Sequence, residues 1–248
     1  MTAAIASLAD NTQSGARAPR WVWSQHWINL LFLHWRVGAD SLLPHVPAEV
    51  EIDTCDGSAW VSLVLFRLKV RPRWLPYVPG FSTLNEVNLR TYVRCGSQAG
   101  ICFLRLHADN RWAIRLARAL TPLPYHDSVI RYRESAGGFS FECSNASQPE
   151  CRLAVDFRPN GPLYQTEDGT RDDWLLERYR LFIADKNGKL KAAQVFHPRW
   201  QLQPVEAALG VNTLAKPFGL DLSGPPDAVH FSAGVWTRFG GFTPVQIG

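Results

Sequence analysis

The stretch Glu86-Val87-Asn88-Leu89-Arg90-Thr91-Tyr92-Val93-Arg94 alternates between two rows of side chains. One row is Val87, Leu89, Thr91 and Val93, and the other is Glu86, Asn88, Arg90, Tyr92 and Arg94. Successive side chains of a β-strand point to opposite faces, so this alternation predicts a strand. The segment Gly100–Ala108 follows after a short turn and is expected to be its hairpin partner.

Strand-like segments separated by Gly, Pro and Asn continue on both sides of this hairpin. Ile28–Val37 is a nearly continuous apolar run, which predicts a strand buried on both faces. The other predicted strands are Val50–Thr54, Ala59–Val70, Ser128–Arg133, Gly138–Cys143, Cys151–Phe157, Tyr179–Ala184, Leu190–Phe196, Trp200–Glu206 and Ala228–Phe239. About a dozen strands indicate a β-dominated α+β fold, built as a barrel or a sandwich.

The predicted helices are few and short. Asn110–Leu120 is the strongest candidate, and Thr121-Pro122-Leu123-Pro124 ends it. One face of this helix carries Arg111, Arg115 and Arg118, and the other carries Trp112, Leu116 and Ala119. Shorter helices are expected at Asp40–Pro44, opened by an Asp cap, and at Asp172–Arg178, which begins with acidic residues.

The composition limits the classes of function. Apolar residues make up 46% of the 248 residues and charged residues only 19%, which predicts a thick core or a subunit interface. The net charge of +4 is modest, and the densest basic stretch, Arg67–Arg73, is best interpreted as a charged strand edge rather than a phosphate-binding surface. We therefore expect no nucleic-acid partner.

The termini and the apolar runs indicate a cytoplasmic protein. No apolar run approaches the ~18 residues of a membrane span, so no membrane partner is expected. Residues 1–20 lack the basic start and apolar centre of a signal peptide, and we interpret them as a flexible tail before a single domain at 21–248.

Cysteine and histidine spacing gives no metal signature. The five cysteines include no C-x-x-C pair, and the odd count favours buried free thiols over disulfides. No two histidines have close metal-ligand spacing. We expect neither a metal nor a cofactor.

The candidate site combines the quoted strand with the end of the long helix. Glu86 and Arg90 lie four apart on one strand face, so both can point into one cavity, while Tyr125 and His126 follow a Pro-rich stop that holds the backbone. Together they would supply a base, an anion clamp and a proton donor. The spacing alone favours a simpler alternative, a Glu86–Arg90 pair on a solvated face. The aromatic, Pro-rich loop Arg71–Phe81 is either a lid over this site or an interface patch.

Several longer stretches carry a family resemblance. They are Leu33–Val37, Ile52–Val61, Asn85–Arg94 and Ala117–Asp127, followed by Glu177–Phe182 and His197-Pro198. In these stretches the sequence resembles the YqjF-like family, which is of unknown function and belongs to the acetoacetate decarboxylase-like superfamily. The resemblance implies a cone-shaped β-barrel or double sheet with an internal cavity, a few short helices and a homo-oligomeric state.

The resemblance also bears on the chemistry. Decarboxylases of the superfamily carry Pro-Lys-Lys at the exit of the equivalent helix, and one lysine forms a Schiff base with the keto substrate. Here the comparable stretch is Pro124-Tyr125-His126, and a phenol cannot form an imine. Glu86 matches the decarboxylases' active-site glutamate. The predicted catalytic residues are Tyr125, His126 and Glu86, and the predicted substrate-binding residues are Arg90, Arg105 and His34.

Three readings of function remain open. The first is a lyase-type or hydrolytic enzyme that acts by acid–base chemistry on a keto or carboxylate compound without a Schiff-base lysine. The second is a module that binds or senses a small molecule in the same cavity without chemistry. The third is an assembly protein that uses its aromatic loop and low charge to dock a partner.

Overall fold

The computed structural model describes residues 21–78, 80 and 82–246; the predicted flexible tail, 1–20, lies outside them. The strands are β1 (Trp21–Val37), β2 (Glu51–Ile52), β3 (Ala59–Pro72), β4 (Thr83–Cys95), β5 (Gln98–Ala108), β6 (Tyr125–Ser135), β7 (Gly138–Asn145), β8 (Arg152–Pro159), β9 (Arg180–Ala184), β10 (Leu190–Phe196), β11 (Val205–Asn212), β12 (Ala228–Gly240) and β13 (Thr243–Pro244). The α-helices are α1 (Arg111–Leu120) and α2 (Arg171–Leu176). The predicted β-dominated α+β class is confirmed.

Seven strands pair into a ring-like sheet. Its neighbours follow the order β1, β3, β4, β5, β9, β10 and β12, and β12 pairs again with β1. Every pairing in the ring is antiparallel except that of β5 with β9. The strands β6, β7, β8 and β11 form an antiparallel extension that joins the ring through a short parallel pairing of β6 with β5.

Two apolar layers follow from the alternation of side chains along the ring strands. Leu30, Phe32, Phe66 and Ile101 belong to a cluster with contributions from six of the ring strands, so this face points inward. The opposite face of β1, β3, β4, β5 and β12 packs against β6, β7, β8 and β11, where Phe141 and Val155 meet the outer side of the ring. Burial on both faces accounts for the low content of charged residues.

Both rows of the quoted strand are buried. Val87 and Leu89 lie in the layer between the ring and the second set of strands. Glu86 and Arg90 lie on the inner face and are only 4% and 9% exposed. The alternative of an ion pair on a solvated strand face is therefore wrong, because this strand has no solvated face.

The predicted segments match the observed elements with a few differences. The long helix is confirmed, and its Asn110 side chain accepts a hydrogen bond from the backbone N–H of Ala113 at 3.1 Å. The strand expected from Trp200 begins at Val205, and the one expected at Val50–Thr54 is reduced to β2. The segment around Asp40 forms two short 3₁₀ turns, Ala39–Ser41 and Leu43–His45, instead of an Asp-capped helix, and Pro44 lies in the second turn.

The five cysteines are free, as predicted. Cys102, Cys143 and Cys151 are buried, and Cys55 and Cys95 are half-buried. Within residues 21–78, 80 and 82–246, no helix has the length and apolar character needed to cross a membrane.

Closure of the ring depends on a close approach at Gly100. A Cβ at this position would lie 2.7 Å from the carbonyl oxygen of Arg180 and 2.8 Å from the ring of Phe182. We predict that Gly100→Ala lowers the free energy of unfolding by about 1–3 kcal/mol, because β9 must move away from β5. Gly38→Ala is the control, since a Cβ there meets nothing within 4 Å. Urea denaturation tests this, and equal stabilities of the two variants would contradict it.

Candidate functional site

An apolar cavity of about 570 Å³ opens at one end of the ring. Its walls are the inner face of the ring, helix α1 and the segment after β3. Six polar side chains line it: Gln25, Ser82, Glu86, Asn88, Thr121 and Tyr125. Among the described residues that line the cavity, none is Lys, Arg or His.

Strand register brings Glu86 and Tyr125 together in this cavity. Glu86 lies opposite Ala108 on β5, and Tyr125 lies opposite Leu106 on the other edge of that strand. Both side chains face inward, so the Tyr125 hydroxyl donates a hydrogen bond to Oε2 of Glu86 at 3.2 Å. The structure thus pairs two of the three predicted catalytic residues.

The backbone around Tyr125 is fixed by several hydrogen bonds. The Pro124 carbonyl accepts from the N–H of Leu106 at 3.0 Å, and the N–H of Tyr125 donates to the Leu123 carbonyl at 2.9 Å. The Arg118 guanidinium reaches back from α1 and donates twice to the Tyr125 carbonyl, at 2.9 and 2.7 Å. These contacts hold the start of β6 against both the ring and the helix.

Burial determines the electrostatics of the pair. Loss of hydration raises the pKa of Glu86 from its ordinary 4.5 to about 7, although hydrogen bonds from Tyr125 and Asn88 act in the opposite direction. Burial, followed by the neighbouring Glu86, raises the pKa of Tyr125 well above 10. Near neutral pH, Glu86 can therefore take up or release a proton while Tyr125 remains a hydrogen-bond donor.

His126 does not join this pair. Because β6 already begins at Tyr125, the next side chain points to the opposite face. The His126 ring lies 6.2 Å from the ring of His107, on the outer side of the ring-like sheet. Burial, followed by the charges of Arg105 and Arg118, lowers the pKa of His126. The predicted catalytic role of His126 would require its side chain to point to the same face of β6 as that of Tyr125, and it points to the opposite face.

Arg105 also lies on the outer side. It is opposite Leu89 in the register, within the layer between the two sets of strands. Its guanidinium donates to Oε1 of Gln148 at 2.9 Å and stacks 5.2 Å from the ring of Phe218. The structure therefore separates Arg105 and His126 from the cavity that holds Glu86.

Arg90 lies on the inner face, beyond the inner end of the cavity. Its position is two residues further along β4 than Asn88, which lines the cavity. The guanidinium lies 5.9 Å from the rings of Phe32 and Tyr92. Its Nε and Nη2 are buried and have no hydrogen-bond partner among the described residues. A buried guanidinium with unpaired nitrogens is a place where an anion would be stabilised.

His34 belongs to a buried hydrogen-bond network beside Arg90. In the register it lies opposite Ser62, which lies opposite Arg90. Its Nδ1 is 2.7 Å from Oγ of Ser62, and that oxygen is 2.6 Å from the hydroxyl of Tyr92. Burial, followed by His230 and Arg90, lowers the pKa of His34 well below its ordinary value, so the ring is neutral. His34 is not among the described lining residues of the cavity.

Four of the six polar lining residues were not predicted as site residues from the sequence: Gln25, Ser82, Asn88 and Thr121. Asn88 shares the strand face of Glu86 and Arg90, so the period of two was the signal that could have found it. Gln25 lies on β1 before the point at which the apolar run begins, where no alternating or continuous apolar pattern marks a strand. No group of three or more His, Cys, Asp or Glu side chains that could hold a metal ion occurs in the described part of the chain.

The fold is shared with solved structures of acetoacetate decarboxylase-like proteins. The enduracididine biosynthesis enzyme MppR complexed with pyruvate has a TM-score of 0.63 and 13% identity, and covers 95% of this chain and 94% of its own. Acetoacetate decarboxylase from Legionella pneumophila has a TM-score of 0.63 and 14% identity, and the match covers 96% of this chain and 98% of that protein. An acetoacetate decarboxylase-like enzyme from Sphingomonas wittichii RW1 has a TM-score of 0.61 and 14% identity, and the match covers 96% of this chain and 98% of that protein. At these identities the likeness concerns the fold alone.

Sequence comparison defines the family within this fold. The model of DUF2071, described as an uncharacterized conserved protein, matches residues 24–236. The uncharacterized protein YqjF of Bacillus subtilis strain 168 is 34% identical over 213 residues, covering 86% of this chain and 88% of that protein. The chain therefore belongs to the YqjF-like DUF2071 family.

The buried Glu86 carboxyl predicts a pH-dependent stability. Its pKa is about 7 in the folded protein and 4.5 ordinarily, so the folded state binds the proton more tightly. The protonated carboxyl therefore contributes about 3 kcal/mol to the free energy of unfolding. This contribution is fully present below pH 4.5 and is lost as the pH rises through about 7. In urea denaturation, the free energy of unfolding of the native protein should fall by this amount relative to that of Glu86→Gln between about pH 5 and 8. Exposed Glu134→Gln is the control; a constant difference between the native protein and Glu86→Gln would refute the raised pKa.

Proposed function

We propose that this protein is an enzyme that transfers protons on a small keto or carboxylate compound without a Schiff-base lysine. The observation that carries the proposal is the hydrogen bond between the Tyr125 hydroxyl and the buried Glu86 carboxyl. A carboxyl with a pKa of about 7 can act as a general base and as a general acid near neutral pH. Pairing such a group with a neutral donor is a recurrent arrangement in proton-transfer enzymes.

The arrangement supports a definite sequence of steps. The Glu86 carboxylate removes a proton from the carbon beside a substrate carbonyl. The electron pair of that C–H bond forms a C=C bond, and the π pair of the carbonyl moves to its oxygen. The Tyr125 hydroxyl donates a hydrogen bond to this oxygen and stabilises its negative charge. Glu86 then returns the proton to carbon, or to a leaving group that departs as the carbonyl reforms. Isomerisation and elimination both follow from this scheme.

The cavity walls argue for acid–base chemistry rather than imine chemistry. Lysine is absent from the described residues that line the cavity, and Tyr125 stands at the first of the two lysine positions implied by the decarboxylase resemblance. Apolar walls exclude water, which strengthens the electrostatic effect of a single donor on a developing oxyanion. The proton-transfer pair therefore needs no further charged group in the cavity itself.

Arg90 supports a substrate that carries a carboxylate. It lies on the same strand face as Glu86, about 7 Å beyond Asn88 along the strand, with Nε and Nη2 unpaired. A carboxylate reaching inward would satisfy these nitrogens, while the apolar walls would enclose the rest of the molecule. The MppR structure complexed with pyruvate, a keto acid, belongs to the same fold.

A binding or sensor module is the second candidate. The observation that favours it is the predominantly apolar lining, which can hold a ligand without chemistry. The two candidates differ in one respect: the enzyme alters its ligand chemically, whereas the module returns it unchanged.

The proton-transfer proposal predicts exchange of substrate protons with solvent. In D₂O the native protein should catalyse exchange of the protons beside the carbonyl of octan-2-one or 2-oxooctanoate for deuterium. The loss of these proton signals is measured by NMR. Glu86→Gln and Tyr125→Phe should each slow exchange at least about a hundredfold. The first variant removes the general base, and the second removes the hydrogen-bond donor that stabilises the oxyanion. His126→Gln is the control outside the cavity. Equal exchange by all proteins would contradict the site, and binding without exchange would favour the module.

Arg90 yields a separate prediction. Arg90→Met should weaken binding of 2-oxooctanoate about tenfold to a hundredfold and leave binding of octan-2-one unchanged, because only the first carries a carboxylate. The same variant should be at least as stable as the native protein, since it removes a buried charge with unpaired nitrogens. Calorimetric titration and urea denaturation test both parts. Equal losses for the two ligands would contradict the carboxylate role.

A further inference from the structure

The mouth of the cavity is surrounded by exposed apolar side chains. On helix α1 these are Trp112, Leu116 and Leu120, and on the segment after β3 they are Trp74, Leu75 and Val78. We call these six side chains the apolar rim. Trp74 is 83% exposed and Trp112 is 68% exposed. Leu75, Val78, Leu116 and Leu120 also line the cavity, so the rim and the cavity walls are continuous.

Helix α1 presents its apolar row to solvent. Trp112, Leu116 and Leu120 are spaced by four residues and share one face of the helix. The sequence pattern would ordinarily bury such a face, yet Ile114 is the one buried residue of this helix. Contiguous exposed apolar surface of this kind marks a site of interaction.

The charged side chains of the two rim segments, positions 70–85 and 110–125, are all arginines. Arg111 and Arg115 are exposed on α1, and the Arg115 guanidinium lies 5.5 Å from the ring of Trp112. Arg73 lies 4.8 Å from the ring of Trp74. The sequence contains no Asp or Glu between positions 70 and 85 or between 110 and 125. Arg118 pairs with Asp127 at the edge of this surface, at 3.7 Å.

We propose that the apolar rim and its arginines dock the protein on the surface of an anionic lipid bilayer. An amphipathic helix that carries Trp and Leu on one side and Arg on the other is typical of segments that lie in the bilayer interface. Indole rings favour the headgroup level, and arginines near the surface are attracted to anionic lipids. The protein would dock peripherally, with the segment at Trp74 and helix α1 in contact with the headgroups.

A second copy of the chain fits this surface less well. In a two-fold symmetric dimer the same patch faces itself, so one interface would contain the arginines of both subunits. The rim segments contain no carboxylate to neutralise them. A lipid surface supplies both complements at once, phosphates for the arginines and an apolar interior for the tryptophans and leucines.

Docking in this orientation would direct the mouth of the cavity at the bilayer. An apolar ligand could then pass from the lipid phase along Leu116 and Leu120 into the cavity without crossing water. This inference rests on the surface and its charges, and it holds whether or not Glu86 and Tyr125 perform proton transfer.

Vesicle flotation with the full-length protein tests the inference. The vesicles consist of phosphatidylcholine alone or of phosphatidylcholine with about one-third phosphatidylglycerol. We expect binding to the anionic vesicles, weakened by about 0.5 M salt, and little binding to the neutral ones. Arg111→Glu with Arg115→Glu should weaken binding at least about thirtyfold. Trp74→Ala with Trp112→Ala should also weaken it, because the indole rings no longer enter the interface.

Matched controls are available elsewhere on the surface. Trp236→Ala removes another exposed tryptophan, and Arg152→Glu with Arg158→Glu reverses two exposed charges on β8. Both controls should bind like the native protein, and thermal unfolding verifies that all variants are folded. The proposal is overturned if the native protein does not bind anionic vesicles, or if the rim variants bind as well as the controls. A dimer that dissociates in the rim variants would instead assign the surface to a second copy.

Discussion

Removing the Glu86 carboxyl from water is the constraint on which the site depends. The inner face of the ring-like sheet surrounds this carboxyl with apolar side chains, and the Tyr125 hydroxyl is a donor placed directly on it. Desolvation outweighs that hydrogen bond and moves the pKa towards neutrality. A group that would be permanently ionised on the surface therefore becomes one that can both accept and donate a proton.

The ring makes this environment possible because its strands are buried on both sides. One face packs against β6, β7, β8 and β11, and the other encloses the cavity and the buried network around His34 and Ser62. A single strand, β4, places Glu86, Asn88 and Arg90 at successive depths along the inner face. The proposed chemistry uses that order: proton transfer within the cavity, a carboxylate clamp beyond its inner end, and an apolar entrance at α1.

Much of this arrangement could be predicted from the sequence. The alternation in β4 predicted that Glu86 and Arg90 share a face, and the Pro-rich stop after α1 indicated where Tyr125 lies. The direction of His126 could not be predicted, because it depends on whether the strand begins before or after Tyr125. The exposure of Trp112 and Leu116 could not be predicted either. An amphipathic pattern shows that a helix has an apolar face but does not show what covers it. Ring closure through Gly100 depends on contacts between residues about eighty positions apart, such as Gly100 and Phe182.

Titration of the Glu86 carboxyl in the native protein tests the central claim most directly. Carbon-13 NMR of protein labelled at glutamate side-chain carboxyls, assigned by the resonance that disappears in Glu86→Gln, reports the pKa of this group alone. The structure predicts a midpoint at about pH 7. A midpoint near the ordinary value of 4.5 would show that the carboxyl is hydrated, and would contradict its assignment as a proton-transfer group in an apolar cavity.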